Sequence, residues 1–293
     1  MVRQYRIHTD LDGSNNKIYD MTNGLIRFYH PSDLGIINST NIWQSQGIGV
    51  MGNNNISHPD IDFKFETFGN SLEENYRIFN EFINSIIKQK YITLEYTNEI
   101  GNYYADIQLS KITKTEGYGF DGQFSETISF IPVNMWYVYE QLKFSKVQNG
   151  EIGGNTKIHT TSKYAYDYTY FGEDNIERFS KWKIDDGIFS FTARMTPSQN
   201  LENMSDYGVR FLDKQFNEYT ALIFRNTTKP DSIQFNTDVN DEYYQAQIGI
   251  STINMFSALN YQRFRTRLIQ KGTMELINVD VVEMNVKRKV EFV

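Results

Sequence analysis

Tyr recurs at every second position of the segment YAYDYTYF, occupying positions 164, 166, 168 and 170. Only an extended strand, whose side chains alternate between faces, puts all four on one side, with Ala165, Asp167 and Thr169 on the other. The same period of two runs through IDFKFETF, from Ile61 to Phe68, so sheet is expected in both halves of the chain. The 20 Tyr and 21 Phe, an aromatic share of 15%, suit half-buried strands and broad contact surfaces better than helical bundles.

At 293 residues the chain exceeds the roughly 150 expected of one domain, which favours two. Hydrophobic residues at 40%, charged residues at 22% and only five Pro describe a chain that folds. Cys is absent, which excludes disulfides, thiolate metal sites and cysteine nucleophiles and leaves stability to packing. The opening MVRQYRIHTDLDG has no apolar stretch of signal-peptide length. No window nears the roughly 18 apolar residues of a membrane span, so a protein with no membrane span, synthesised in the cytoplasm of its cell, is expected. A net charge of −7 and a pI near 5.2 argue against nucleic acid as a partner, because displacing counterions from phosphate needs a basic face.

Along the first ninety residues, Gly- and Asn-rich turns separate short strand-like runs such as Leu25 to Tyr29 and Ile61 to Phe68. Ser71 then opens a capping box with Glu74, and Leu72, Tyr76, Phe79, Ile83 and Ile86 follow at helical spacing. Phe82 and Ile87 widen that stripe, so the spacing predicts a helix over about 71–90 lying on a sheet. Next comes a predicted hairpin around Gly101-Asn102, with Ile92, Leu94 and Tyr96 on one arm and Tyr103, Ala105, Ile107 and Leu109 on the other. Its Thr and Glu positions are expected to face outward.

A further strand over Phe124 to Phe130 ends at Pro132, and the division is placed to give domains 1–140 and 141–293. The Gly- and Asn-rich run VQNGEIGGNTK at 147–157 leads into the second. There, strands are expected at Ile188 to Met195, Tyr219 to Phe224, Ser232 to Phe235, Phe264 to Gln270 and Met274 to Phe292, a spacing that suggests a β-sandwich.

No motif carries a reaction. GIGVMG at 47–52 satisfies G-x-G-x-x-G, but Asn53, Asn54 and Asn55 follow where a nucleotide fold needs an apolar helix, so a glycine-rich loop or bulge is expected. DLDGSNN at 10–16 has part of a calcium-loop pattern, yet Met21 stands where the bidentate Glu belongs; it reads as a hairpin turn, and DVNDE at 238–242 is treated alike. His8, His30, His58 and His159 form no metal or nucleophile pairing and read as surface or capping residues. Glu73-Glu74 and Asp185-Asp186 read as capping and solvated charge. No catalytic, cofactor-binding or metal-ligating residue is predicted, and no cofactor. Tyr164, Tyr166, Tyr168, Tyr170 and Phe171 form the candidate partner interface, although the pattern fits a core strand equally well.

The chain also resembles a known family, the distal tail proteins (Dit) of long-tailed siphophages, and in particular those of lactococcal phages, where this protein is the baseplate hub. The resemblance is carried by MVRQYRIHTDLDG at 1–13, NIWQSQGIGVMG at 41–52, ETFGNSLEENY at 66–76, ITLEY at 92–96 and TKTEGYG at 113–119. It continues through GVRFLD at 208–213, NEYTALIF at 217–224, NTDVNDE at 236–242, RTRLIQKGTMELIN at 265–278 and KRKVEFV at 287–293, and is weakest over about 146–206.

What the resemblance implies is a mainly β virion protein of the tail tip or baseplate. Its N-terminal belt domain, with one packing helix, would assemble as a homohexameric ring, and its C-terminal half would be a galectin-like β-sandwich. An arm-like extension within about 146–206 would grip receptor-binding protein trimers. The other implied partners are the major tail protein or tube and a tail-tip or tail-associated lysin-type protein. The family supplies no catalytic residues, so a structural role in host adsorption, not an enzyme, is expected.

The alternative is a carbohydrate-binding module assisting adsorption to host cell-wall saccharide. Against it, Trp43, Trp136 and Trp182 all lie before the 188–293 stretch in which a stacking Trp would be expected. A tail-associated hydrolase has only the abundance of carboxylates behind it.

Overall fold

The computed structural model of the chain describes residues 3–13, 15–115, 123–145, 169–171, 176–179, 188–198, 206–225, 229–264 and 272–293. It divides into two units, Met1–Val138 with Val290–Val293, and Tyr139–Lys289.

The first unit contains β1 (Gln4–His8), β2 (Ile18–Asp20), β3 (Ile26–Ser32), β4 (Ile37–Ser45), β5 (Ile48–Ser57), β6 (Ile61–Thr67), α1 (Leu72–Ile87), β7 (Ile92–Thr97), β8 (Asn102–Ile112) and β9 (Ser125–Pro132). Its main sheet is antiparallel throughout, in the order β2-β1-β7-β8-β9-β6-β3. The ends of that order come together, since the Phe28 N–H donates to the Met21 carbonyl at 2.8 Å, so the sheet curls back towards itself.

Inside the curl lies an aromatic core. The alternation read in β6 places Ile61, Phe63, Phe65 and Thr67 inward, and Phe28 stacks on Phe63 with ring centroids 4.6 Å apart. Burying each such ring contributes about 1.5–3 kcal/mol.

The helix starts where the capping box places it. Ser71 Oγ accepts from the Glu74 N–H at 3.2 Å, while the Glu74 carboxylate reaches one residue further back, accepting from the Asn70 N–H at 2.7 Å. Phe82 and Ile86 are buried and Phe82 stacks on Phe65, whereas Leu72 and Ile87 are exposed. The chain end also belongs here, where the Val290 N–H donates to the Trp136 carbonyl at 2.7 Å.

The β7–β8 hairpin forms with Thr97 opposite Asn102, but Thr93 and Glu95 do not face water; both are buried. β7 is flanked by β1 and β8, whose polar side chains cover its second face. Thr93 Oγ1 donates to Asp106 at 2.8 Å, and Glu95 lies 2.8 Å from His8 Nε2.

The second unit holds the rest of β10 (Tyr137–Ser145), then β11 (Thr169–Phe171), β12 (Ile176–Phe179), β13 (Ile188–Pro197), β14 (Tyr207–Leu212), β15 (Glu218–Phe224), β16 (Ser232–Asn236), β17 (Tyr243–Ile248), β18 (Ser251–Asn254), β19 (Thr273–Ile277) and β20 (Val279–Lys289). One sheet runs β18-β17-β16-β13-β20-β10 and the other β11-β12-β19-β14-β15. Their inner faces meet in one core, where Phe191 lies 6.1 Å from Phe211 and Phe224 lies 6.2 Å from Phe235, so the β-sandwich is present.

Two expected strands differ. The run Met274 to Phe292 is two strands in different sheets, broken at Asn278, whose φ of 52° turns the chain between them; Asn tolerates that left-handed conformation better than most residues. Phe264 lies outside any strand, and residues 265–270 are outside the described residues.

Candidate assembly surface

β4 and β5 form a separate two-stranded ladder, closed by the two-residue turn Gln46-Gly47. Both turn residues have positive φ, 50° and 85°, as a tight hairpin turn requires. The sequence GIGVMG therefore lies largely in a strand and not in a loop, and the expected bulge falls at its end, where the register shifts between Thr40 and Ile42 opposite Gly52 and Asn53. Lower down, Thr40 Oγ1 bonds to Asn54 Oδ1 at 3.1 Å across the ladder, within a stem of Asn, Ser and Thr.

The tip is apolar on both faces. Ile42 stands opposite Met51 on one face, and Trp43 opposite Val50, with Ile48 beside them, on the other. Trp43 is 75% exposed, Met51 71% and Ile48 70%. From Leu34 to Ser57 there is no Asp, Glu, Lys or Arg. Exposed strands ordinarily carry charge to resist edge pairing, and a lone two-stranded ribbon is marginal in water. This hairpin has neither protection, so it has the form of an arm to be covered.

The same unit offers a concavity of similar chemistry. A groove of about 250 Å3 lies between β2, the start of β3 and α1, lined mainly by Ile18, Leu25, Ile26 and Ile78, with Asp20 and Glu81 also on its wall. Ile18 and Leu25 are exposed there.

Several ionisable groups elsewhere among the described residues are held in structural contacts. Glu95 is held below the ordinary carboxylate range, first by the hydrogen bond from His8 and then by the nearby Arg6. His8 is thus a buried residue hydrogen-bonded to Glu95, not a surface one, and its other ring nitrogen lies 3.1 Å from the Asn16 amide in the β1–β2 turn. Burial lowers the pKa of His58, whose Nδ1 donates to the Pro59 carbonyl at 2.9 Å. Burial, and then Tyr96, push the Tyr5 hydroxyl up to about 12. Among the described residues no three His, Asp or Glu side chains converge as a metal site. DLDGSNN is the turn between β1 and β2.

Of the predicted interface, Tyr164, Tyr166 and Tyr168 lie outside the described residues, as do Trp182, Asp185, Asp186 and His159. Tyr170 and Phe171 fall in β11, the edge strand of the second sheet, opposite Arg178 and Glu177. The hairpin arm was missed as a strand because its glycines and asparagines dominate its composition. Its signal was the long uncharged run, with the adjacent apolar pairs Ile42-Trp43 and Val50-Met51 on either side of Gln46-Gly47.

An arm of this kind on a pair of β units defines a structural protein built to assemble. The distal tail protein N-terminal domain model matches residues 4–133, and the Dit C-terminal domain model matches 135–293. The chain therefore belongs to the distal tail protein family of phages. It is 50% identical, over the whole of both chains, to the distal tail proteins of Lactococcus phage SK1 and Lactococcus phage p2. Among solved structures it is similar to a chain of the phage P2 baseplate in its activated conformation with Ca, at 49% identity, TM-score 0.83 and full coverage of both chains. It shares its fold with SPP1 Dit, at 11% identity, TM-score 0.52 and coverage of 99% and 100%.

Proposed function

We propose that the chain is the hub of a phage tail tip or baseplate, six copies of which close into a ring that connects the tail tube to the tip and anchors receptor-binding proteins. The observation that carries this reading is the uncharged, two-faced hairpin β4–β5, joined to a family likeness that spans the whole chain. Its tip matches the groove between β2, β3 and α1 in chemistry, so the arm of one copy seats in the groove of the next. A contact between two different patches is head-to-tail, and it gives a ring when the rotation between copies closes.

In this reading residues 1–140 form the ring, together with the chain end Val290–Val293, and the rest of 141–293 is the sandwich domain. Its partners are the major tail protein or tube, a tail-associated lysin-type protein and receptor-binding trimers, the last held through Tyr164, Tyr166, Tyr168, Tyr170 and Phe171. The role is mechanical and needs no catalysis, cofactor or nucleic acid. Absolute mass from light scattering, across concentration and salt, tests it. A hexamer stable to dilution is expected; a chain that stays monomeric alone and in the presence of the tail tube protein overturns the ring.

A further inference from the structure

We infer that the free edge of β18 is a contact surface for a second copy of this chain, the two strands pairing antiparallel about a two-fold axis at Ile253. The surface belongs to the second unit and does not depend on the hairpin β4–β5.

β18 ends its sheet, and among the described residues no strand pairs with its far side. All its residues, Ser251 to Asn254, are exposed. Natural edges are guarded by charge, Pro or a bulge. This one has none of them: the β17–β18 ladder runs without a register shift, and no Asp, Glu, Lys, Arg or Pro occurs from Tyr243 to Gln262.

The phase of the hydrogen bonds decides which backbone groups are open. The two-residue turn Gly249-Ile250 joins the strands, so Ile248 and Ser251 close it as a hydrogen-bonded pair. At the other end the Met255 N–H donates to the Tyr244 carbonyl at 2.9 Å. Both ends give one alternation, in which Ser251, Ile253 and Met255 bond to β17 while the N–H and C=O of Thr252 and Asn254 point to the open edge. Those groups are self-complementary. With Ile253 facing its counterpart, Thr252 and Asn254 of each copy exchange N–H and C=O with the partner's Asn254 and the partner's Thr252.

The apolar pattern is centred on the same axis. Val282, Met195, Ile233 and Ala246 stand opposite one another in a fully buried row of the inner face, and the next member is Ile253, 41% exposed. The core is thus unfinished at this edge. A second Ile253 in the closely spaced, non-hydrogen-bonded position, with Cα atoms about 4.5 Å apart, extends it. Ile250 and Phe256, both exposed, lie at equal sequence distance on either side, so the axis brings the Ile250 end of each strand to the Phe256 end of the other. Phe256 is braced for this by Tyr261, whose ring lies 5.2 Å away edge-on and whose hydroxyl donates to the Phe256 carbonyl at 2.6 Å. A pattern symmetric about its own centre selects a second copy over an unrelated strand.

Copies around a head-to-tail ring are not related by such an axis, so the contact joins free chains or separate assemblies. One pair of short strands falls well below the roughly 1,200 Å2 of a stable interface, so the pair dissociates at the dilution of a mass measurement. Trapping is the suitable test.

The chain has no Cys, so one introduced thiol reports the contact. Ile253→Cys is made in the full chain carrying Trp43→Asp and Met51→Asp, so that the arm brings no copies together, and dimers are followed on non-reducing gels in a glutathione redox buffer. Thiols at facing non-hydrogen-bonded positions lie within bridging range. Dimer is expected to form about tenfold faster, or more, than with Ile100→Cys, which is 86% exposed in the other unit, because pairing raises the effective thiol concentration. Adding Thr252→Pro removes an edge N–H without touching the bonds to β17 and should return the rate to that of the control. A rate no higher than the control, or one that Thr252→Pro leaves unchanged, overturns the inference and leaves the edge to a strand of a different protein.

Discussion

The hairpin β4–β5 and the outer face of β16, β13 and β20 are both sheet surfaces open to solvent, yet they are written in opposite chemistry. The hairpin carries no charge from Leu34 to Ser57 and turns apolar side chains to both faces. The sandwich sheet buries one face completely in its core and gives the other Gln, Arg, Glu and Asn. A strand with one core face can remain in water indefinitely, whereas a strand with two apolar faces is finished only by another surface. Exposure alone therefore does not distinguish a surface that meets water from one that meets protein. The number of apolar faces does.

The largest way to break that contrast is to charge the arm. Trp43→Asp with Met51→Asp should abolish assembly in light scattering while changing the unfolding free energy of the monomer by no more than about 0.5 kcal/mol, because neither side chain belongs to a core. Leu25→Asp, in the groove between β2 and α1, should have the same effect, and combining it with the arm variant should add nothing further. If the arm variant instead unfolds the protein, the hairpin is part of a core and the contrast is wrong.

Lys287→Ala should act the other way. It leaves the Asp238 carboxylate buried without its cation and should cost about 3–5 kcal/mol in urea unfolding. A loss below about 1 kcal/mol would mean that the ion pair does not hold the segment after β16 against β13 and β20.

A smaller effect is expected at the hairpin turn. Gly47→Ala forces a side chain into a φ of 85°, at a cost of about 1–2 kcal/mol. Because the turn stands clear of either core, this should appear as weaker assembly on dilution with an unchanged melting temperature.

The smallest effect separates a buried carboxylate from an exposed one. Glu95, held below its ordinary value of 4.5 by His8 and Arg6, contributes stability above that pH and loses it as pH falls through the lower folded-state value. Glu95→Gln should therefore flatten the fall in melting temperature on the acid side. Glu283 is also lowered, first by Lys143, but it is exposed, and Glu283→Gln should leave the acid limb as it is.

Local rules in the sequence determined the elements whose signals lie within a few residues. Ser71 and Glu74 set the start of α1, the alternation of Ile61, Phe63 and Phe65 set the inner face of β6, and Ile92 to Leu109 read directly as a hairpin. The sandwich, too, was legible in the spacing of its strands, and the full-length resemblance gave the family.

Only tertiary structure decided the rest, because it depended on what lay opposite. Thr93 and Glu95 have the polarity of an outward face, yet β1 and β8 bring His8 and Asp106 over them and bury them. Met274 to Phe292 looks continuous until Asn278 sends its halves to different sheets. Gln141, Arg194, Gln234 and Glu283 are far apart in the chain and ordinary one at a time; the pairing of β10, β20, β13 and β16 sets them side by side. A sequence states the period of a strand, but the partner chosen across the ladder decides which of its faces becomes a core, a groove or an arm.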